Sequence, residues 1–190
     1  MSSKLYWHFL QANGMLTHGD PRIVRVGKRL TLPPKTQIIP CQVGYHASLR
    51  PIDALQYAPG PIVCRVTLHG KIIPHGDPIN KYVAEGRTVI WMANAIDVLR
   101  EFARWCALQV IDLWDAPEVV REYLVTGDEN LWAAARDAAW AAAWDAAWDA
   151  ARDAAWGAAQ DAARAAAWGA ARDAQNKKLG KMLLTLETKP

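Results

Sequence analysis

Within "CQVGYHASLRPIDAL", residues 41–55, Gly44-Tyr45-His46 stand just before a segment that reads as a helix capped near Ser48, with Pro51 in its first turn. A helix N-terminus carries unpaired N–H groups and partial positive charge, so beside an imidazole and Arg50 it can hold a phosphate. A histidine satisfied inside a turn is the plain alternative. Tyr45, His46, Ser48 and Arg50 are candidate ligand-binding residues, with Arg65 and Arg87 from later strands.

Other reactive groups are sparse. His69, His75 and Asp77 in "LHGKIIPHGDP" would need a convergence that spacing does not supply, so no metal site is assigned. Asp53, Asp77 and Glu85 are the only carboxylates between residues 21 and 93, which leaves general acid–base catalysis few candidates. Glu85, near Arg87, is the best of them, against the alternative of a solvated turn charge. The chain has no HExxH, P-loop or GxSxG motif. No catalytic residue and no cofactor is assigned. Cys41, Cys64 and Cys106 are widely spaced without CxxC, which predicts three small buried hydrophobes in a reducing compartment.

These groups sit in a basic region. Residues 1–93 hold eleven Lys/Arg against four Asp/Glu, whereas 94–130 hold three against eight. The N-terminal part alone has the field to attract an anion. It reads as strand and turn: "LYWHFL", "RIVRV", "KRLTL", a half-buried strand in "PIVCRVTLHG" ending at Gly70, and a central strand at 87–93, with one short helix after Ser48.

From Asn94 the pattern turns helical. Ile96, Leu99, Ala103, Cys106, Val110 and Leu113 recur at three- and four-residue steps. A shorter helix follows, capped at Asp115 and stopped at Gly127, and Asp128 caps the next. Then comes a four-residue repeat of Ala-Ala with Trp or Arg, an α-helix by alanine content. Each step of four advances about 400°, so the Trp/Arg row drifts about 40° per repeat and no single face is apolar. Such a helix is enclosed by other protein, breaks near Gly157 or Gly169, or supercoils. Trp132, Trp140, Trp144, Trp148, Trp156 and Trp168 are the candidate oligomerisation residues. A tolerated expansion of a soluble helix is the alternative. Six aspartates in the repeat argue against nucleic acid as a partner.

The expected fold class is α+β: a small β-rich N-terminal module with one short helix, followed by an all-helical C-terminal region with a long Ala/Trp repeat helix. The expected segments are 1–93, a connector at 94–130, the repeat at 131–176 and a basic tail at 177–190. No apolar run of eighteen residues and no signal-peptide pattern occurs, so the expected location is cytoplasmic, with no membrane partner.

"YWHFLQANG", "VRVGKRLTL", "CQVGYHASLRPIDALQYAPGPIVCRVTLHG" and "RTVIWMANAIDVLREFARWCA" resemble an uncharacterised family of phage, prophage and bacterial proteins with a G-[FYL]-H loop core and C-terminal Ala/Trp/Asp/Arg repeats. The resemblance covers about residues 5–135. Gly44, His46, Ser48, Arg50 and Asp53 match its loop, as a site or structural hinge without catalytic roles. It implies phage-type origin in a bacterial host and no settled activity. Three functions follow as expectations. One is a non-enzymatic homo-oligomer that captures an anionic, nucleotide-like ligand and sequesters a host immune signal, or binds a host defence protein directly. Another is a nucleotide-acting enzyme of ADP-ribosyl-transfer or cleavage type using His46, Tyr57 and Glu85. The third is a purely structural oligomer.

Overall fold

The structure is a computed structural model that describes residues 4–16, 22–152 and 158–188, and the side chains of these except within 143–168. Contacts divide the chain into two units, Met1–Val98 with Asn176–Pro190, and Leu99–Gln175.

The first unit is organised by one antiparallel sheet. Its strands are β1 (Tyr6–Leu10), β2 (Arg29–Thr31), β3 (Tyr45–Ala47), β4 (Ile62–His75) and β5 (Lys81–Asn94), in the order β1-β4-β5-β2, with β3 also on β5. A five-residue helix, α1 (Pro51–Leu55), lies between β3 and β4. β4 and β5 are fourteen residues each, and their register shifts between Arg65 and Val66 and again between His69 and Ile72. Such irregularities bend and twist a strand pair. The sheet then closes on itself: Ser48, just after β3, exchanges backbone hydrogen bonds with Trp7 of β1, at 2.7 and 2.9 Å.

Successive strand residues face opposite sides. Tyr6 and Leu10 join Tyr45, Ala47, Cys64, Val66 and Val89 in one buried cluster. Val63, Cys64, Val66 and Thr67 are all buried, so β4 is covered on both faces here rather than on one.

The second unit carries most of α2 (Ile96–Leu108), then α3 (Glu118–Thr126) and α4 (Trp132–Arg152). Among its described residues, Phe102, Ile111, Ala116, Val120 and Ala135 are buried. α3 ends at Gly127 in the left-handed conformation (φ 70°), and the Asp128 side chain accepts the Asn130 N–H at 2.9 Å. α5 (Ala158–Glu187) begins after 153–157, so a break at Gly157 lies outside the described residues, whereas helix is continuous through Gly169.

The expectation of a small β module followed by an all-helical region is overturned. The strands build a five-stranded antiparallel sheet that extends to Asn94 on two long strands. The helical part does not simply follow it, because residues 176–187, the end of α5, belong to the sheet's own unit. Leu179, Met182 and Leu183, spaced to share one helical face, are buried there, and Asn176 Oδ1 accepts the Ile52 N–H of α1 at 3.4 Å. "RIVRV" is not a strand: Ile23 and Val26 make isolated bridges only. The first helix starts with Arg50 as cap, not Ser48, because the Ser48 backbone is committed to Trp7. α3 starts after Pro117 rather than Asp115.

Candidate functional site

A cavity of about 600 Å³ opens on the face of the first unit that carries His8, Tyr45 and Arg87. β1 contributes His8 and Leu10; β3 and the residue after it contribute Tyr45, His46 and Ser48; β5 contributes Lys81 and Arg87. The turn before β3 adds Cys41 and Gly44. Gly44 has φ 134°, and a Cβ there would collide with the Val83 side chain of β5. Only glycine lets this wall approach β5 so closely.

Arg87 is the central group. It is 2% exposed, although charged. Its Nη1 donates to the His46 carbonyl at 2.8 Å, its guanidinium lies 5.6 Å from the Tyr45 ring centroid, and its Nε has no hydrogen-bond partner. No carboxylate is paired with it among the described residues. Burial pushes its pKa down to about 10, with Cys64 and Tyr45 acting in the opposite direction. It therefore remains a cation at neutral pH, desolvated and with no carboxylate on it among the described residues, which is a costly state.

The neighbours reinforce that field. Arg22 donates to the Tyr45 hydroxyl at 3.0 Å, and that hydroxyl donates to the Thr31 carbonyl at 3.3 Å. Burial, then the positive charge of Arg87 and the nearness of His46, hold the His8 imidazole well below the usual histidine range. His46 Nε2 accepts the Cys41 N–H at 3.1 Å. Lys81 sits 4.2 Å from the ring centroid of half-exposed Tyr57, on the cavity wall. No aspartate or glutamate among the described residues lines the cavity.

Of the residues expected from sequence, Tyr45, His46, Ser48 and Arg87 come together on this wall, and Arg50 and Arg65 do not. Arg50 caps α1 and lies 3.8 Å from the Asp53 carboxylate. Arg65 is opposite Trp7 in the strand register and covers its ring at 4.2 Å, on the sheet face away from His8. Glu85 is also elsewhere: its Oε2 accepts the Lys71 N–H at 3.1 Å, so His46, Tyr57 and Glu85 do not form one constellation. His69 is held by the Thr67 and Thr88 hydroxyls at 3.1 and 2.9 Å. Sequence reasoning, which offers Arg22 and Arg25 as further binding groups, reaches Arg22 but misses His8, Cys41 and Lys81 as cavity residues. His8 carries a visible signal, a polar residue on the Tyr6–Leu10 side of an alternating strand.

In the second unit, Trp132 is 46% exposed with Arg136 over its ring at 4.9 Å, and Trp140 is 72% exposed. The side chains of Trp144, Trp148, Trp156 and Trp168 lie outside the described residues. No helix among the described residues is long and apolar enough to cross a membrane.

Comparison of the chain with protein-family models, curated proteins and solved structures finds no match.

Proposed function

We propose that this chain is a phage-type, non-enzymatic binding protein that takes an anionic, nucleotide-like ligand into the Arg87 cavity and assembles through its Trp-bearing helix. The observation that carries the reading is Arg87: a guanidinium only 2% exposed, unpaired with any carboxylate among the described residues, on the wall of an open cavity. A ligand phosphate or carboxylate in the cavity would supply the counterion that no described residue provides. The volume suits a nucleotide-sized molecule, since ligand cavities commonly run to roughly 300–1,000 Å³. Tyr57 offers a ring at the rim for an aromatic base. The resemblance to phage and prophage proteins suggests a role in the bacterial cytoplasm, capturing a host immune signal.

The test is a thermal-shift and calorimetric titration of the full chain with nucleoside mono- and diphosphates, cyclic dinucleotides and inorganic phosphate. The expected result is a rise in Tm with at least one phosphate-bearing ligand, abolished in Arg87→Met. A stabilising ligand that acts equally on Arg87→Met, or no response to any of the panel, overturns the reading.

A further inference from the structure

The three cysteines differ more than their spacing suggests. Cys64 is fully buried with its thiol pushed up to about 12 by burial, and Cys106 is half-buried with its thiol also raised. Both are poor nucleophiles. Cys41 is exposed, against the expectation of three buried hydrophobes. It stands in the turn closed by the Ile39–Val43 pair, in the left-handed region at φ 67°, a conformation costly for a residue with a side chain. Its N–H is tied to His46 Nε2, and its Sγ lies 3.5 Å from Nε2 of His75, the last residue of β4. The thiol thus has an imidazole within proton-transfer reach.

Cys41 also lines the same cavity as Arg87, whose buried, unpartnered Nε is an independent sign of an anion's place there. The two are joined through His46, which accepts from Cys41 at its ring and from Arg87 at its carbonyl. Among the described residues, the titratable groups on the surrounding walls are His8, Tyr45, His46, Tyr57, Lys81 and the Arg22 and Arg87 guanidiniums, none of them acidic at neutral pH.

We propose that Cys41 is a nucleophilic thiol, activated by His75, that forms a mixed disulfide with a small anionic disulfide seated in the Arg87 cavity. His75 Nε2 takes the proton from Cys41 Sγ. The thiolate attacks one sulfur of the ligand disulfide, forming the Cys41–S bond as the ligand's S–S bond breaks. The electron pair leaves on the second sulfur, which takes the proton from His75. One thiol and one disulfide give one mixed disulfide and one thiol, so the disulfide itself is the oxidant. The inference rests on the reading of the cavity as an anion site.

The experiment exposes the full chain to glutathione disulfide, which is anionic, and separately to cystamine, which is cationic, and follows adducts by intact and peptide mass spectrometry. Modification is expected at Cys41 alone, faster with glutathione disulfide than with cystamine by about tenfold. His75→Gln is expected to slow it about tenfold near neutral pH and to alter the pH–rate profile, because the imidazole that takes the thiol proton is gone. Equal rates for the two disulfides, or a His75→Gln profile unchanged from the parent, overturn the proposal. Arg87→Met separates the two readings. It should slow glutathione disulfide and leave cystamine unchanged, and phosphate titration of Cys41→Ser tests anion binding without the thiol. Phosphate binding by Cys41→Ser, with an unreactive Cys41 in the parent chain, sinks the thiol proposal while the anion site stands.

Discussion

The cavity and the tetrad helix hold opposite kinds of group in unfavourable places. The sheet unit buries a guanidinium, Arg87, with no acid paired to it among the described residues. The helix of the second unit displays indoles, with Trp140 at 72% exposure. Desolvating a lone charge costs on the order of several kcal/mol, and exposed apolar patches invite association. On the proposed reading each region suits a partner of matching polarity, an anion in one case and an apolar surface in the other. A charge kept inside points to a small ligand that can enter a cavity. An indole kept outside points to a macromolecular face.

The largest effect is expected where the backbone, not a side chain, shapes the cavity. Gly44→Ala places a methyl group against Val83 at φ 134°. Left-handed strain and overpacking together should cost about 3 kcal/mol, seen as a lower urea midpoint at unchanged m. A Gly44→Ala chain as stable as the parent would mean that β3 can move off β5 and that the wall is not fixed. Next comes Arg87→Met. Losing an unpaired buried cation for an apolar chain should stabilise the ligand-free protein by roughly 1–4 kcal/mol, while abolishing anion-dependent stabilisation. Destabilisation by Arg87→Met would instead make Arg87 a structural strut for the His46 carbonyl, and would remove the contrast between the two regions.

A smaller effect belongs to His8. Its folded pKa lies below its unfolded one, for burial first and then for the neighbouring Arg87 charge. Above the unfolded value, near 6.5, both states carry the neutral ring and the full stability is present. As pH falls below it the unfolded chain takes up a proton that the folded chain refuses, so stability is lost toward the folded pKa. His69, also lowered, adds in the same direction. Chemical denaturation between about pH 7 and pH 5 should therefore show falling stability, with a shallower slope in His8→Asn. A bound anion would offset the charge of Arg87 and flatten the slope in the parent chain. An identical slope in His8→Asn would place the acid sensitivity elsewhere.

What can be read in advance follows from how local each feature is. Gly44, Tyr45, His46 and Ser48 are contiguous, so turn chemistry alone draws them together. Alternation cannot place Arg65, because parity assigns a face only within one register, and β4 and β5 slip between Arg65 and Val66. Cys41 and His75 are thirty-four residues apart, and His8 and Arg87 farther, so only the pairing of β1, β3, β4 and β5 assembles them. The sequence pattern puts β5 at 87–93, whereas the strand begins at Lys81, because "KYVAEG" carries two charges and a glycine around a three-residue apolar run too short to show a period. The end of α5 is legible but easily missed. Leu179, Met182 and Leu183 form an i, i+3, i+4 stripe inside a segment whose lysines read first as a basic tail.

The smallest effect on stability is expected on the helix, and that smallness is the informative part. Trp140→Glu removes an indole that is mostly in solvent, so in dilute, dissociated protein the unfolding free energy should change by less than about 0.5 kcal/mol. Trp132→Ala should cost more, since that ring carries Arg136 and lines an apolar groove of about 260 Å³ with Trp114 and Leu124. Assembly should respond in the reverse order, because an indole already engaged within its own chain has less surface to offer. Sedimentation velocity across a concentration series reads this directly. Loss of a larger species in Trp140→Glu, at unchanged monomer stability, makes exposure itself the functional property of the helix. Had Trp140→Glu left sedimentation as in the parent, the indoles would be tolerated rather than used. The comparison would then reduce to the cavity alone, and the proposed anion site would have to stand on Arg87 by itself.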